Sequence, residues 1–353
     1  MFTKLQINLL TDNDCVKNPN FVVIFLLTMN KLSFLNIQNS KDFLESSLDT
    51  FRFQAKNNIV YREFIHHLGI DIETVSSIKD IPFLPISFFK THSILSDTNK
   101  VQQTFFSSGT TGSNLSKHLV TNLNIYKESF TKGFQHFYGN IEDYTILALL
   151  PNYLERKGSS LVYMVTDLIK KSNKKNSGFY LHNLDELAKK LNTLDAKGEK
   201  ILLIGVSFAL LDLIEKYQFQ LKNAIIMETG GMKGRRKEII RAELHQLLSA
   251  GFGVKNIHSE YGMTELLSQA YSNGSGIFKT PSWMKIIIRD TEDALTIFPH
   301  QKAGGINIID LANINSCSFI ATQDLGKTFD NNTFEILGRF DNSDIRGCNL
   351  MIV

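Results

Sequence analysis

Three short stretches concentrate residue types that handle phosphate, metal and ribose. The first is Phe105-Phe-Ser-Ser-Gly-Thr-Thr-Gly112, where Ser107, Ser108, Gly109, Thr110, Thr111 and Gly112 leave an apolar run. Glycines let backbone N–H groups converge on an anion and the hydroxyls add donors, so such a loop can hold phosphates. It is not a Walker A loop, because neither glycine precedes a Gly-Lys pair at that motif's spacing. Taken alone, a surface turn explains it equally well.

The second stretch is Ser259-Glu-Tyr-Gly-Met-Thr-Glu265. A carboxylate at Glu265 can hold Mg2+ on phosphate oxygens, and Thr264 can donate to a phosphorus centre under attack. The plainer reading is a strand-to-helix turn with Thr264 or Glu265 as an N-terminal cap. The third is Gln323-Asp-Leu-Gly326, followed by Gly338-Arg-Phe-Asp341. Asp324 can accept both ribose hydroxyls and Arg339 can complement phosphate or ribose; the competing reading is a surface ion pair, usually worth ~0–1 kcal/mol.

A thiol nucleophile is also available. Cys348 lies five residues from the end of the sequence, after the turn-forming Asn342-Ser-Asp-Ile-Arg-Gly347, so a mobile arm could carry it. Arg346 beside it would favour the thiolate. Alternatively Cys348 is a small hydrophobe in a docked tail. Cys317, in an expected strand, reads as structural. Three distant cysteines fit neither a disulfide framework nor a metal site, and imply a reducing cytoplasm. No His-Glu-x-x-His spacing supports zinc. His118 reads as a hydrogen-bonded histidine that helps hold the phosphate loop, and Arg235-Arg236-Lys237 as a solvated helix start.

The elements that must position these residues follow from periodicity. Residues 41–70 hold two helical patterns, Phe43, Leu44, Leu48 and Phe51, then Val60, Phe64 and Leu68, with Gly69 as a stop. Two prolines in Ile81–Lys90 forbid a regular helix, and its apolar residues suggest a strap across a core. Strands are expected at 101–106, 145–150, 201–206, 224–228 and 256–259. Helices are expected along the Leu123, Tyr126, Phe130, Phe134, Phe137 stripe, from Ser159 or Ser160 to about 171, and over 184–194, 208–217 and 236–249. After Trp283 come short β-like runs at 283–288, 294–298, 304–310, 317–321 and 334–338. The pattern is α/β, with a β-rich subdomain near its end.

Composition sets the class. The chain has 353 residues, 43% hydrophobic and 21% charged, which argues against disorder, collagen and coiled coil. With Lys plus Arg at 38 and Asp plus Glu at 35, the net charge of +3 excludes an obvious nucleic-acid partner. The longest apolar run near the start, Phe21–Leu27, is too short to span a bilayer. Residues 1–40 read as an N-terminal extension, with Met29 as a candidate start.

The order and spacing of the three stretches resemble the adenylate-forming superfamily of acyl and aryl ligases. Within it the chain is most similar to acyl-protein synthetases of the LuxE type, through Pro82–Lys90, Ser107–His118, Pro151–Ser160, Glu228-Thr-Gly-Gly-Met-Lys-Gly-Arg235, Ser259–Glu265 and Gly338–Leu350. The resemblance runs from about Ile81 to the end, and residues 1–40 take no part in it. It implies a fold of mixed sheets layered with helices. Residues 41–280 would form the nucleotide- and acyl-binding body, 281–340 a β-rich subdomain and 341–353 a short arm, with the superfamily's C-terminal lid absent or vestigial.

The resemblance further implies that Ser107–Gly112 hold the ATP β- and γ-phosphates, while Gly230, Gly231, Tyr261 and Gly262 line the adenine and acyl pocket, with Tyr261 stacked on adenine. Thr264 would contact the α-phosphate, Glu265 would bind Mg2+, and Asp324 and Arg339 would take the ribose. Relatives place a lysine three residues after the loop's last glycine, whereas Lys117 comes five later. With no lid lysine, Lys90, Lys117 or Lys233 could supply positive charge. The expected function is ATP- and Mg2+-dependent activation of a carboxylic acid, a fatty acid by family likeness, with transfer to a Cys348 thioester. An acyl-accepting reductase or transferase would be the partner. Two alternatives are an acyl- or aryl-CoA ligase with coenzyme A as acceptor, and a non-catalytic nucleotide- or acyl-binding subunit.

Overall fold

The structure is a computed structural model and describes residues 33–107, 115–150, 158–180, 183–230 and 239–339. Met29, Ser108–Gly112, Gly231, Lys233 and Cys348 lie outside the described residues.

The chain opens with α1 (Ser40–Asn57) and α2 (Ile59–His67). Asn39 caps α1 by accepting from the amides of Lys41 and Asp42. Asn58 serves both helices: its amide donates to the Gln54 carbonyl at 2.8 Å, and its side chain accepts from the Tyr61 amide at 3.0 Å. The proline segment is the expected strap. Its β1 (Leu84–Pro85) lies parallel to a later strand, Ile86 N–H donates to the Ala321 carbonyl at 2.9 Å, and Tyr61 Oη donates to the Pro82 carbonyl at 2.6 Å. A single helical turn, α3 (Phe88–Thr91), ends it.

β2 (Gln103–Phe106) and β3 (Lys117–Val120) form a two-stranded antiparallel ribbon flanking the Ser/Thr/Gly loop. Next come α4 (Leu123–Tyr138), β4 (Thr145–Leu149), α5 (Ser160–Ser172), β5 (Gly178–Phe179), α6 (Leu184–Ala196), β6 (Ile201–Val206), α7 (Ser207–Lys216), β7 (Ala224–Thr229), α8 (Arg241–Phe252) and β8 (His258–Tyr261). β4, β6, β7 and β8 are parallel, and every residue of β4 and β6 is buried. Such continuous apolar strands require helices on both faces. Phe134 of α4 and Met164, Val165 and Leu168 of α5 pack with Ile146, Leu202, Ile204 and Met227 on one face. On the other, a Cβ at Gly205 would lie 2.7 Å from Leu210 of α7, and one at Gly251 of α8 would lie 2.5 Å from Ile214 of α7. Gly253 ends α8 with φ +67°, pressed so close to Phe219 that a Cβ there would lie 2.6 Å from its carbonyl oxygen.

β9 (Ala270–Ser272), β10 (Ile277–Lys279), β11 (Met284–Arg289), β12 (Gly304–Asp310), β13 (Phe319–Thr328) and β14 (Thr333–Arg339) follow. Among the described residues the main sheet has 12 strands in the order β11-β12-β13-β14-β10-β9-β8-β7-β6-β4-β5, with β1 beside β13. Strands on both sides of residue 280 therefore share one hydrogen-bonded sheet.

Several expectations change in detail. α8 begins at Arg241 rather than near 236. The run 294–298 contributes only an Ile297–Arg289 bridge, and in place of the run 317–321 stands the ten-residue β13 from Phe319, which leaves Cys317 just before the strand and whose Asp324 and Gly326 read locally as breakers. β9 and β10 have three residues each, too few to show a period. No helix among the described residues is long and apolar enough to cross a membrane.

Candidate active site

In open parallel sheets ligands collect outside the carboxyl ends of the strands. Here those ends are in register, Val206 beside Thr229 and Thr229 beside Glu260, and each is followed by a polar or glycine residue: Ser207, Gly230 and, after Tyr261, Gly262. Ser207 Oγ donates to the Gly230 carbonyl at 2.9 Å and to Glu228 Oε2 at 3.4 Å. Gly230 is exposed with φ +69°, a turn conformation that suits glycine. Buried Glu228 also lies 3.5 Å from Arg241 Nε and 3.5 Å from His245 Nε2. On the opposite face Thr229 Oγ1 donates to buried Glu260. Burial pushes the Glu260 carboxyl up to about 7, against the Thr229 hydrogen bond and with help from the Glu228 charge.

Beyond β8 the chain turns, with Leu266 N–H donating to the Met263 carbonyl at 3.1 Å, and proceeds to β9 without a helix. This overturns the helix-cap reading of Thr264 and Glu265. The turn is gripped through its backbone. His118 Nδ1 donates to the Thr264 carbonyl at 2.8 Å and Asn313 Nδ2 to the Glu265 carbonyl at 2.7 Å. Asp310 Oδ2 accepts from the amides of Leu267 and Ser268 at 2.8 and 2.9 Å. The Glu265 side chain is buried; burial raises its pKa, opposed by a Ser116 hydrogen bond and by the charges of Arg339 and Lys90. Of the three candidate lysines, Lys90 is the one whose charge acts on Glu265; Lys90 and Lys117 are both exposed, and Lys233 is outside the described residues.

At the loop's base Ser116 N–H donates to Ser107 Oγ at 3.0 Å, and Ser107 N–H to the Ser116 carbonyl at 3.1 Å. His118 of β3 therefore joins this ribbon to Thr264, a longer reach than the local loop support its sequence position suggests. Asp324 faces Arg339 across the β13–β14 ladder, with Arg339 Nε 3.7 Å from Asp324 Oδ1. Tyr261 Oη donates to Asp324 Oδ2 at 2.7 Å, and the Tyr261 ring meets Phe278 and Phe334 edge-on at 6.1 and 5.9 Å. Burial and the neighbouring Asp324 hold the Tyr261 phenol well above its usual range. Cys317 is fully buried, and burial pushes its thiol up to about 12, as a structural cysteine requires.

The structure thus brings Ser107, Gly230, Tyr261, Gly262, Thr264, Glu265 and Arg339 to strand ends and turns of one sheet and its attached ribbon, with Asp324 in the middle of β13 opposite Arg339. Sequence reasoning missed Ser116, Ser207, Glu228, Glu260, Asp310 and Asn313. Glu228 carried a signal, a charge following the apolar run Ala224–Met227, whereas Asp310 and Asn313 reach the site from more than forty residues away and carried none. No group of three His, Cys, Asp or Glu able to cage a metal occurs among the described residues. A lone carboxylate such as Glu265 fits Mg2+, which commonly takes one or two protein carboxylates and fills its shell with phosphate oxygens and water.

Comparison with solved structures shows an adenylate-forming fold. An open conformation of 2-hydroxyisobutyryl-CoA ligase, solved with 2-HIB-AMP and CoA, superposes with a TM-score of 0.62 at 11% identity over 86% of this chain and 70% of that one. ATP-bound MatB from Rhodopseudomonas palustris gives a TM-score of 0.52 at 16% identity over 69% of this chain; the match spans about half of MatB, 49%. Among curated proteins, a long-chain-fatty-acid–luciferin-component ligase of Vibrio harveyi is 25% identical over 324 residues, covering 85% of this chain and 84% of that protein. The family model for acyl-protein synthetases of the LuxE type matches residues 12–353, so residues 12–40, expected to lie outside the resemblance, take part in it. The chain belongs to the LuxE family of acyl-protein synthetases.

Proposed function

We propose that the chain activates a fatty acid with ATP as its acyl-adenylate and then holds the acyl group as a thioester on Cys348. The observation that carries this reading is the convergence of Thr264, Glu265, Ser116 and Lys90 beside the ribbon that flanks Ser107–Gly112, in a chain of this family. A carboxylate oxygen of the acid bonds to the α-phosphorus while the bond to the leaving oxygen breaks and pyrophosphate departs; the thiolate then attacks the acyl carbonyl and AMP leaves. Thr264 contacts the α-phosphate, Tyr261 and the Gly230–Gly231 backbone flank adenine, and Asp324 with Arg339 takes the ribose. Mg2+ at Glu265, when bound, would neutralise phosphate charge. Lys90 and Arg339, both exposed, add positive charge near the buried Glu265 carboxylate.

The test is to incubate purified protein with Mg-ATP and a panel of carboxylic acids, with and without coenzyme A, following pyrophosphate, acyl-CoA and intact protein mass. Acylated protein that disappears in Cys348→Ser, with pyrophosphate release retained, is the expected result. Acyl-CoA formation indifferent to that substitution would instead assign a ligase, and nucleotide binding without pyrophosphate release a binding subunit.

A further inference from the structure

We infer that His118 and Asn313 are positioning residues that set the geometry of the Glu265 carboxylate and lock it to the phosphate-loop ribbon. The inference rests on the reading of Glu265 as the magnesium carboxylate. Thr264 and Glu265 sit in an irregular turn whose carbonyls find no partner within a helix or ladder. Two side chains from elsewhere supply the missing donors to successive carbonyls, His118 Nδ1 to Thr264 at 2.8 Å and Asn313 Nδ2 to Glu265 at 2.7 Å. They lie 146 and 48 residues away in sequence. Both are buried, His118 at 1% exposure and Asn313 at 0%.

The donors are themselves fixed. Asn313 Nδ2 also donates to the Cys317 carbonyl at 3.0 Å, which leaves its amide one orientation. The His118 ring packs edge-on against Phe89 at 5.8 Å, on the strap that also carries Lys90. The amides of Leu267 and Ser268 are held with the opposite polarity by Asp310, so the turn is clamped at its carbonyls and its amides alike. His118 belongs to the ladder residue Phe105↔His118, two residues before Ser107. One imidazole therefore spans the phosphate ribbon and the turn that bears Thr264 and Glu265. Burial of this kind keeps the ring neutral, with its single proton on the nitrogen that faces the carbonyl.

Substitutions separate positioning from bulk packing. Asn places an amide N–H where imidazole Nδ1–H stood, whereas Leu and Gln do not. His118→Leu and Asn313→Asp are expected to raise the half-saturating Mg2+ by about tenfold or more, as for groups that orient a metal ligand. Half-saturation for the fatty acid should stay near the wild-type value, and His118→Asn should restore the Mg2+ dependence. If His118→Leu does not fold, the Asn and Gln variants make the same comparison. The second readout is Mn2+ binding in the presence of ATP, followed by electron paramagnetic resonance. Weaker Mn2+ binding in Leu and Gln variants but not in Asn supports the inference; equal binding in all of them, or a uniform loss of every substrate's affinity together with Tm, overturns it. A wild type that binds Mn2+ and ATP without releasing pyrophosphate overturns the proposed function and leaves the positioning result readable.

Discussion

Glu265 and Glu260 lie five residues apart, both buried, and are expected to do different work. Glu265→Ala removes the proposed metal carboxylate and should weaken Mg2+-dependent pyrophosphate release by about tenfold or more, measured as half-saturating Mg2+. Wild-type kinetics would refute its assignment. Glu260 should act on stability. Its folded carboxyl is held up to about 7 while the unfolded chain titrates near the ordinary glutamate value. Between those values the folded state binds more protons, so this contribution is in place at low pH and is lost as pH rises through about 7. The loss amounts to about 3 kcal/mol at most. Chemical denaturation from pH 5 to 8 should show this slope in wild type and a flatter one in Glu260→Gln, which keeps a neutral side chain at every pH.

Among elements, the turn from Met263 to Ser268 depends on a residue far outside it. Asp310→Ala strips partners from the Leu267 and Ser268 amides and from Ser268 Oγ, and should cost about 3 kcal/mol or more of unfolding free energy. A Tm unchanged from wild type would contradict this. Sequence made the carriers legible and their grips illegible. The stripe Tyr126, Phe130, Phe134 announced α4, the apolar run 201–206 announced β6, and the prolines announced the strap, because each is a local pattern. The Ser259–Glu265 stretch announced a site but not its geometry. Whether Thr264 begins a helix or enters a clamped turn depends on His118, Asp310 and Asn313, which periodicity cannot bring together. β13 shows the same limit: Asp324 and Gly326 look like loop residues until β12 and β14 flank them.

For the whole molecule, the expected boundary near residue 280 meets a sheet that continues across it through β9, β10 and β14. Backbone hydrogen bonds and the buried Phe278 and Phe334 tie the two sides together. The regions 41–280 and 281–340 should consequently unfold in one calorimetric transition, with near-ultraviolet signals from Trp283 and far-ultraviolet signals coinciding. Two resolved transitions would show that the β-rich strands form an independent unit. The strap carries a last consequence. It is moored to α2 by Tyr61 and to β13 by Ile86, and its far end presents Phe89 to His118 and Lys90 toward Glu265. It is expected to act as a lever, so that a lesion at Tyr61 should surface as a kinetic phenotype without touching any ligand-binding group. The Ile86 amide proton, locked on Ala321, is the gauge of that lever: its rate of exchange with deuterium would report how firmly the distant helix steadies the chemistry.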